Sequence, residues 1–240
     1  MSASLIYYLP LVIFIIAGVY LSIKAKKLTV AGALTGGVTG VVIFSGIGYT
    51  GIIMLCFFFI SGTVATSWKK KEKQQFKSAE DRSLKRNAGQ VLANGGAAAI
   101  TSLLICFILA KAELFRLMTG ACLASAVADT LSSELGMVYG RRFYNVITFR
   151  TDRKGLDGVI SVEGTLIGLA GSIMIALIYA LGFGFSITFL FIVIAGTIGN
   201  LSDSILGASL ERKNYISNDM VNFLNTVMAS LAAWLCFVLL

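Results

Sequence analysis

The sequence predicts an all-α, polytopic transmembrane helical bundle of about eight spans, with both termini on the non-cytoplasmic side. Three observations predict it. Of 240 residues, 57% are hydrophobic and 13% charged, where a soluble domain carries roughly a quarter charged residues. Apolar runs near 5–23, 91–110 and 159–182 each approach the ~20 residues that a helix needs to cross a bilayer. Lysine and arginine, finally, collect in alternate loops.

Residues 1–240 read as a single integral membrane domain with candidate spans at about 4–23, 28–46, 50–68, 88–110, 115–138, 158–181, 183–207 and 220–240. The first is expected to be a retained span rather than a cleaved signal. No basic residue precedes it, and Lys24, Lys26 and Lys27 follow it directly. A basic loop at 69–87, or a short interfacial helix within it, joins spans three and four. A second loop at 140–157 joins spans five and six. The loops after spans one, three, five and seven hold three, eight, five and two Lys or Arg residues, the eight including Lys77 and Arg82. The opposite side keeps only Lys111 and Arg116, so the four basic loops are expected to face the cytoplasm.

The formal charge of +8 does not point to nucleic acid, because the cations are scattered among short loops without aromatic stacking partners. Orientation in the membrane, anionic lipid and phosphate explain it better. Cys56, Cys106, Cys122 and Cys236 lie far apart in apolar stretches and behave as small apolar residues. The chain has no histidine. That removes the commonest general base and a His-ligated metal, leaving carboxylates, amides, hydroxyls and cations. Gly32, Gly36 and Gly40, and Gly164 with Gly168, are spaced for close helix packing.

Ionisable groups within a bilayer cost about 2.5 to 3.5 kcal/mol each on insertion scales, so each asks for a partner or a function. Span four opens with Asn87, Gln90 and Asn94 on one face. Span five carries Asp129 and Glu134 near its cytoplasmic end. Five residues turn a helix by about 140°, so the two do not share a face, and Asp129, with Ser125, Ser132 and Ser133 beside it, is the stronger ligand candidate. Span six opens with Asp157, Ser161, Gly164 and Thr165, after Arg150, Arg153 and Lys154. A helix amino terminus there is a candidate phosphate cradle, although an Asp or Ser at such a place often only caps the helix. Span seven ends with Asn200, Asp203 and Ser204, and span eight starts with Asn218, Asp219, Asn222 and Asn225. Five spans thus place polar groups at one depth on one side, which points to an inward-facing polar cavity. Two or three carboxylates among neutral oxygens, with a cationic rim, suit Mg²⁺, which binds through one or two carboxylates and substrate phosphates.

The segments 86–96 (RNAGQVLANGG), 128–136 (ADTLSSELG), 155–165 (GLDGVISVEGT), 203–208 (DSILGA) and 218–226 (NDMVNFLNT) resemble an integral membrane family that includes animal transmembrane protein 19 and the plant and cyanobacterial phytyl-phosphate kinases. The similarity runs from about Lys27 to the C-terminus. Val159-Ile160 departs from the Gly-Val or Ala-Val more common in relatives, which bears on local loop shape. The resemblance implies a membrane-embedded, CTP-dependent kinase that converts an isoprenyl monophosphate of phytyl or geranylgeranyl type to its diphosphate. It also implies kinship with polyprenol kinases and CDP-diacylglycerol synthases, which use CTP and Mg²⁺.

That chemistry suits these residues. A phosphate monoester has its second pKa near 6 and is already an anionic nucleophile at neutral pH, so no strong base is needed. Asp129, Asp203, Asn94 and Asn222 are then the expected catalytic residues, with metal at Asp129 and Asp203 and Glu134 and Asp219 as alternates. Nucleotide and phosphate would be bound by Arg86, Asn87, Gln90, Arg150, Lys154, Asp157, Ser161, Thr165, Asn218 and Asn225. A cytidylyltransferase that makes a CDP-lipid needs the same metal and cradle. A small-solute transporter is the reading from another class, although its site would usually lie near the bilayer midplane. ATP in place of CTP, and a homo-oligomer, stay open.

Overall fold

The structure is a computed structural model that describes residues 3–76 and 85–239; Lys77 and Arg82 of the basic loop lie outside the described residues. The apolar runs form helices: α1 (Ala3–Lys24), α2 (Val30–Ser67), the short α3 (Lys70–Gln74), α4 (Ala88–Phe107), α5 (Ala112–Tyr139), α6 (Val162–Phe183), α7 (Thr188–Leu206) and α8 (Asn218–Leu239). Six of the described helices are long and apolar enough to cross a membrane, with α1 as a further apolar helix. The protein is an all-α, polytopic membrane fold. Its outer surface is apolar, as lipid requires: Phe107, Leu109 and Leu181 are each at least 75% exposed.

α2 covers two of the expected spans in one element, because the chain breaks within it. Gly48 adopts φ 62 and ψ −151, a left-handed conformation that glycine alone takes freely. Beyond it the chain folds back. A Cβ on Gly40 would touch the side chains of Ile52 and Leu55, and one on Gly51 would crowd Ile43 and Ile47. The element is therefore a helical hairpin, and α1 packs against it through Leu11, Phe44 and Ile52.

α5 is the central helix and packs against α2, α4, α6, α7 and α8. From Thr119 to Ala128 every residue is buried, on all faces, as expected of a helix surrounded by others. Small residues permit the approach. A Cβ on Gly136 would lie 3.0 Å from the Gly164 Cα, and one on Gly168 would meet the Ala128 carbonyl at 3.0 Å. Packing therefore accounts for the Gly164 and Gly168 spacing. Of the other stripe only Gly32 is tight, against the backbone of Arg86 and Asn87; Gly36 is nearly open and Gly40 makes ordinary contacts.

Two features depart from the sequence expectation. Residues 157–160 do not start span six: α6 begins at Val162, and Val159–Ile160 (β2) pairs antiparallel with Tyr144–Asn145 (β1). The segment between α5 and α6 is thus an ordered hairpin. α7, in turn, continues past Leu206 as a π-helical turn, Gly207–Glu211, a geometry that recurs at functional sites.

Candidate functional site

The ends of α2, α5 and α7 and the starts of α4, α6 and α8 meet around a cavity of about 310 Å³, at the lower edge of the range for small-molecule sites. α5 supplies Asp129, Thr130, Ser132, Ser133, Glu134, Gly136 and Met137. Asp129 and Glu134 stand on different faces, as their spacing requires, but both open on the cavity because it wraps around the end of α5. α4 adds Gln90 and Asn94, α6 adds Gly164 and Thr165, α7 adds Asn200, Asp203 and Ser204, and α8 adds Asn218 and Asn222. The α5–α6 hairpin roofs it with Phe143 and residues 155–160, and Arg86 stands at the wall.

Asp129 and Asp203, on neighbouring helices, bring their carboxyl groups close to one another at the cavity wall. The pair is held from behind. Asn225, fully buried, donates from Nδ2 to Asp203 Oδ1 at 2.7 Å and accepts at Oδ1 from Ser125 Oγ at 2.9 Å. Alongside, Ser132 Oγ donates to Asn200 Oδ1 at 2.9 Å. Asn225 therefore touches the carboxylate rather than the cavity.

Glu134 receives the Nζ of Lys73 at 2.5 Å, and both are buried. Lys73 also donates to the carbonyls of Ala65 at 2.7 Å and Thr66 at 3.2 Å. One ammonium thus caps the last turn of α2, where carbonyls lack helical partners, and neutralises the cavity carboxylate. Nothing in the run Lys69–Lys73 distinguishes Lys73 from its neighbours by sequence.

The remaining expected residues divide. Asn87 and Gln90 form a capping box, Asn87 Oδ1 accepting from Gln90 N at 2.9 Å and Gln90 Oε1 from Asn87 N at 3.1 Å; Gln90 reaches the cavity and Asn87 does not. Ser161 caps α6 by accepting from Gly164 N at 3.1 Å, and Thr165 Oγ1 donates to the Ser161 carbonyl at 3.0 Å. Both line the cavity while serving the helix start. Asp157 lies in the roof. Arg150, Lys154 and Asp219 are not among the lining residues. Arg150 is exposed on the hairpin, Lys154 sits 4.6 Å from the Phe76 ring centre, and Asp219 lies against the first turn of α4, where a Cβ on Gly89 would meet its Oδ2 at 2.9 Å. Glu211, not among the residues expected from the sequence, lines the cavity from the π turn. Its signal was a lone acid in a basic loop.

Five carboxylates, Asp129, Glu134, Asp157, Asp203 and Glu211, therefore line the cavity, and Arg86 is the one Lys or Arg among its described lining residues. Arg86 lies over the Phe58 ring at 5.5 Å. Among the described residues no three His, Cys, Asp or Glu side chains form a ready-made metal cage. A donor set of two facing carboxylates with neighbouring amides and hydroxyls fits a hard cation that completes its shell with water and phosphate.

Residues 13–230 match the family described as integral membrane protein DUF92. The chain belongs to this family. It is 32% identical over 213 residues to Protein VTE6, chloroplastic, of Arabidopsis thaliana, covering 86% of this chain and 64% of that protein, so it spans less than two thirds of the plant relative. It is also 31% identical over 214 residues to an uncharacterized membrane protein of Synechocystis, covering 87% and 82% of the two chains. An uncharacterized membrane protein of Methanocaldococcus jannaschii is 33% identical over 215 residues, at 89% and 87% coverage. No solved structure matches the chain. The DUF92 match agrees with the membership read from the five motifs.

Proposed function

We propose that this DUF92 protein is a membrane-embedded, CTP-dependent kinase that phosphorylates an isoprenyl monophosphate to the diphosphate with Mg²⁺. The observation that carries this reading is the pairing of Asp129 with Asp203 on neighbouring helices, with Arg86 and the amides of Gln90, Asn94, Asn218 and Asn222 lining the same cavity. Two adjacent carboxylates would repel a polyphosphate unless a divalent cation came with it. The resemblance to phytyl-phosphate kinases supplies the substrate class, and the basic loops, on the positive-inside rule, put this end on the cytoplasmic side of about eight spans. Both termini then lie opposite.

In the reaction, an oxygen of the prenyl monophosphate attacks the γ-phosphorus of the nucleotide. The bond from that phosphorus to the β,γ-bridging oxygen breaks, giving prenyl diphosphate and nucleoside diphosphate. At neutral pH the attacking phosphate is already deprotonated, so these residues position rather than abstract protons. Asp129 and Asp203 would hold Mg²⁺, which would supply charge neutralisation. Arg86 pairs with phosphate oxygens, and Gln90, Asn94, Asn218 and Asn222 orient the nucleotide. Glu134, held by Lys73, tunes the charge instead of ligating. A cytidylyltransferase would use the same groups and differ in attacking the α-phosphorus.

The test is purified protein in lipid with Mg²⁺, a prenyl monophosphate and CTP labelled at the γ-phosphate. Label in a prenyl diphosphate, lost in Asp129→Asn and Asp203→Asn, supports the kinase; a CDP-lipid supports cytidylyl transfer. No product with CTP or ATP sinks both for that lipid.

A further inference from the structure

The hairpin that roofs the cavity carries an apolar tip that the proposed reaction does not use. Phe149 is 79% exposed and Ile147 48% exposed. They are not frayed. Asn145, buried beneath the tip, accepts at Oδ1 from the backbone N–H groups of Ile147 and Thr148, both at 3.0 Å. Its own N–H donates to the Arg150 carbonyl at 2.9 Å, and its carbonyl accepts from Phe149 N at 2.9 Å. A bridge between Tyr144 and Thr151 closes the base. Phe149 is held at φ 55, a left-handed conformation that a bulky side chain rarely adopts. The turn is thus built to present a phenyl ring outward, at the expense of its own backbone preference.

Arg150 stands in the turn and Arg141, Arg142 and Arg153 flank its base, all exposed, and none of these guanidinium groups pairs with a carboxylate among the described residues. The turn leaves the end of α5, close to the exposed Tyr139, and so emerges where a membrane-crossing helix meets the headgroups. Apolar side chains flanked by exposed cations are the pattern of a segment lying in an anionic membrane interface.

We propose that the turn Asn145–Arg150 is an interfacial finger: Ile147 and Phe149 enter the boundary between headgroups and acyl chains, and the surrounding arginines bind anionic headgroup phosphates. The same hairpin carries Gly155, Leu156, Asp157 and Gly158 over the cavity, so the roof is tethered to the leaflet surface. This inference needs the membrane setting but not the kinase reading.

The experiment places Phe149→Trp in a background of Trp68→Phe and Trp234→Phe and reconstitutes the full chain in nanodiscs with anionic lipid. Phe149 is exposed, so its replacement leaves the core untouched. The finger predicts blue-shifted emission and loss of most of the fluorescence when the lipids carry bromine near the headgroup end of their acyl chains. It also predicts a shift to the red, with less quenching, in neutral lipid or after Arg142→Gln with Arg150→Gln. Water-like emission that brominated lipid does not quench overturns it. Blue-shifted emission that is unquenched and grows with protein copies per disc overturns it in favour of a contact between two copies of the chain.

Discussion

Asn225 Nδ2 donates to Asp203 Oδ1 at 2.7 Å from a position with no exposure to solvent. The amide spends its other end on Ser125, so a hydrogen-bonded relay from α5 through α8 fixes one oxygen of a carboxylate on α7. Groups that orient a metal-binding carboxylate typically change metal affinity by 10–100-fold when removed. Asn225→Ala is therefore expected to raise the Mg²⁺ concentration needed for half-maximal activity by about tenfold or more, with a smaller change in Ser125→Ala. Activity titrated with Mg²⁺, alongside melting in detergent, separates this from a folding defect. A uniform loss of rate at unchanged Mg²⁺ dependence would count against the orienting role.

The Lys73–Glu134 pair is buried at both ends. Breaking a buried pair by removing one partner typically costs about 3 to 5 kcal/mol, whereas replacing both with apolar residues is often close to neutral; the Arg86 charge near Glu134 reduces that cost here. Lys73→Met and Glu134→Leu are each expected to lower thermal stability sharply. The double substitution should recover part of the loss, limited by the α2 carbonyls that Lys73 also caps. A melting-based double-mutant cycle reads the coupling, and strict additivity would rule it out.

How far the sequence revealed this site depended on the scale of the signal. Helices appear where hydropathy placed them, because a 20-residue apolar run has few other solutions in lipid. Asp129 and Asp203 were visible because a carboxylate within an apolar run needs a reason. The break between the spans at 28–46 and 50–68 was legible from length, and the φ of 62 at Gly48 supplies the reversal. Lys73 was hidden among identical lysines. Glu211 was hidden because the π turn carries α7 beyond the end that a regular helix would have had. Asn225 looked like a ligand because periodicity puts it on the face of Asn218 and Asn222; that Asp203 stands between it and the cavity depends on how α7 and α8 cross.

Arg212 clamps the roof to the end of α7. Its NH1 donates to Asp152 Oδ2 at 2.9 Å, and its Nε and NH2 donate to the Asp157 carbonyl at 3.1 and 2.7 Å. The Arg212 hydrogen bond, followed by the Arg153 N–H, holds the Asp152 carboxyl below its ordinary value. A depressed carboxyl contributes stability that is present above its unfolded pKa, about 3.9, and is lost as pH falls through the lower folded value. The protection of amides 152–158, relative to their intrinsic exchange rate at each pH, should therefore be insensitive to this group from neutrality down to about pH 5 and fall below about pH 4. In Arg212→Ala that protection should be low throughout, with the helical core unchanged. Equal protection in the two proteins would remove the clamp.

Two glycines test how tightly the roof is seated. Gly158 has φ 72, and a Cβ there would run into the backbone and Cβ of Ala208 on the π turn. Gly18, within α1, has nothing within 4 Å of its Cβ position. Gly18→Ala exchanges a flexible residue for the best helix former in open space and should be neutral to stabilising, by up to about 1 kcal/mol. Gly158→Ala meets both penalties: a left-handed backbone disfavoured by roughly 1 to 2 kcal/mol for a residue with a Cβ, and a backbone neighbour that cannot yield as a side chain would. It should lift the roof from α7, speeding proteolysis of the α5–α6 hairpin and lowering activity far more than it lowers the melting temperature of the bundle. Limited proteolysis read beside thermal melting checks this: if both glycine variants behave alike, the roof does not depend on the Gly158–Ala208 contact.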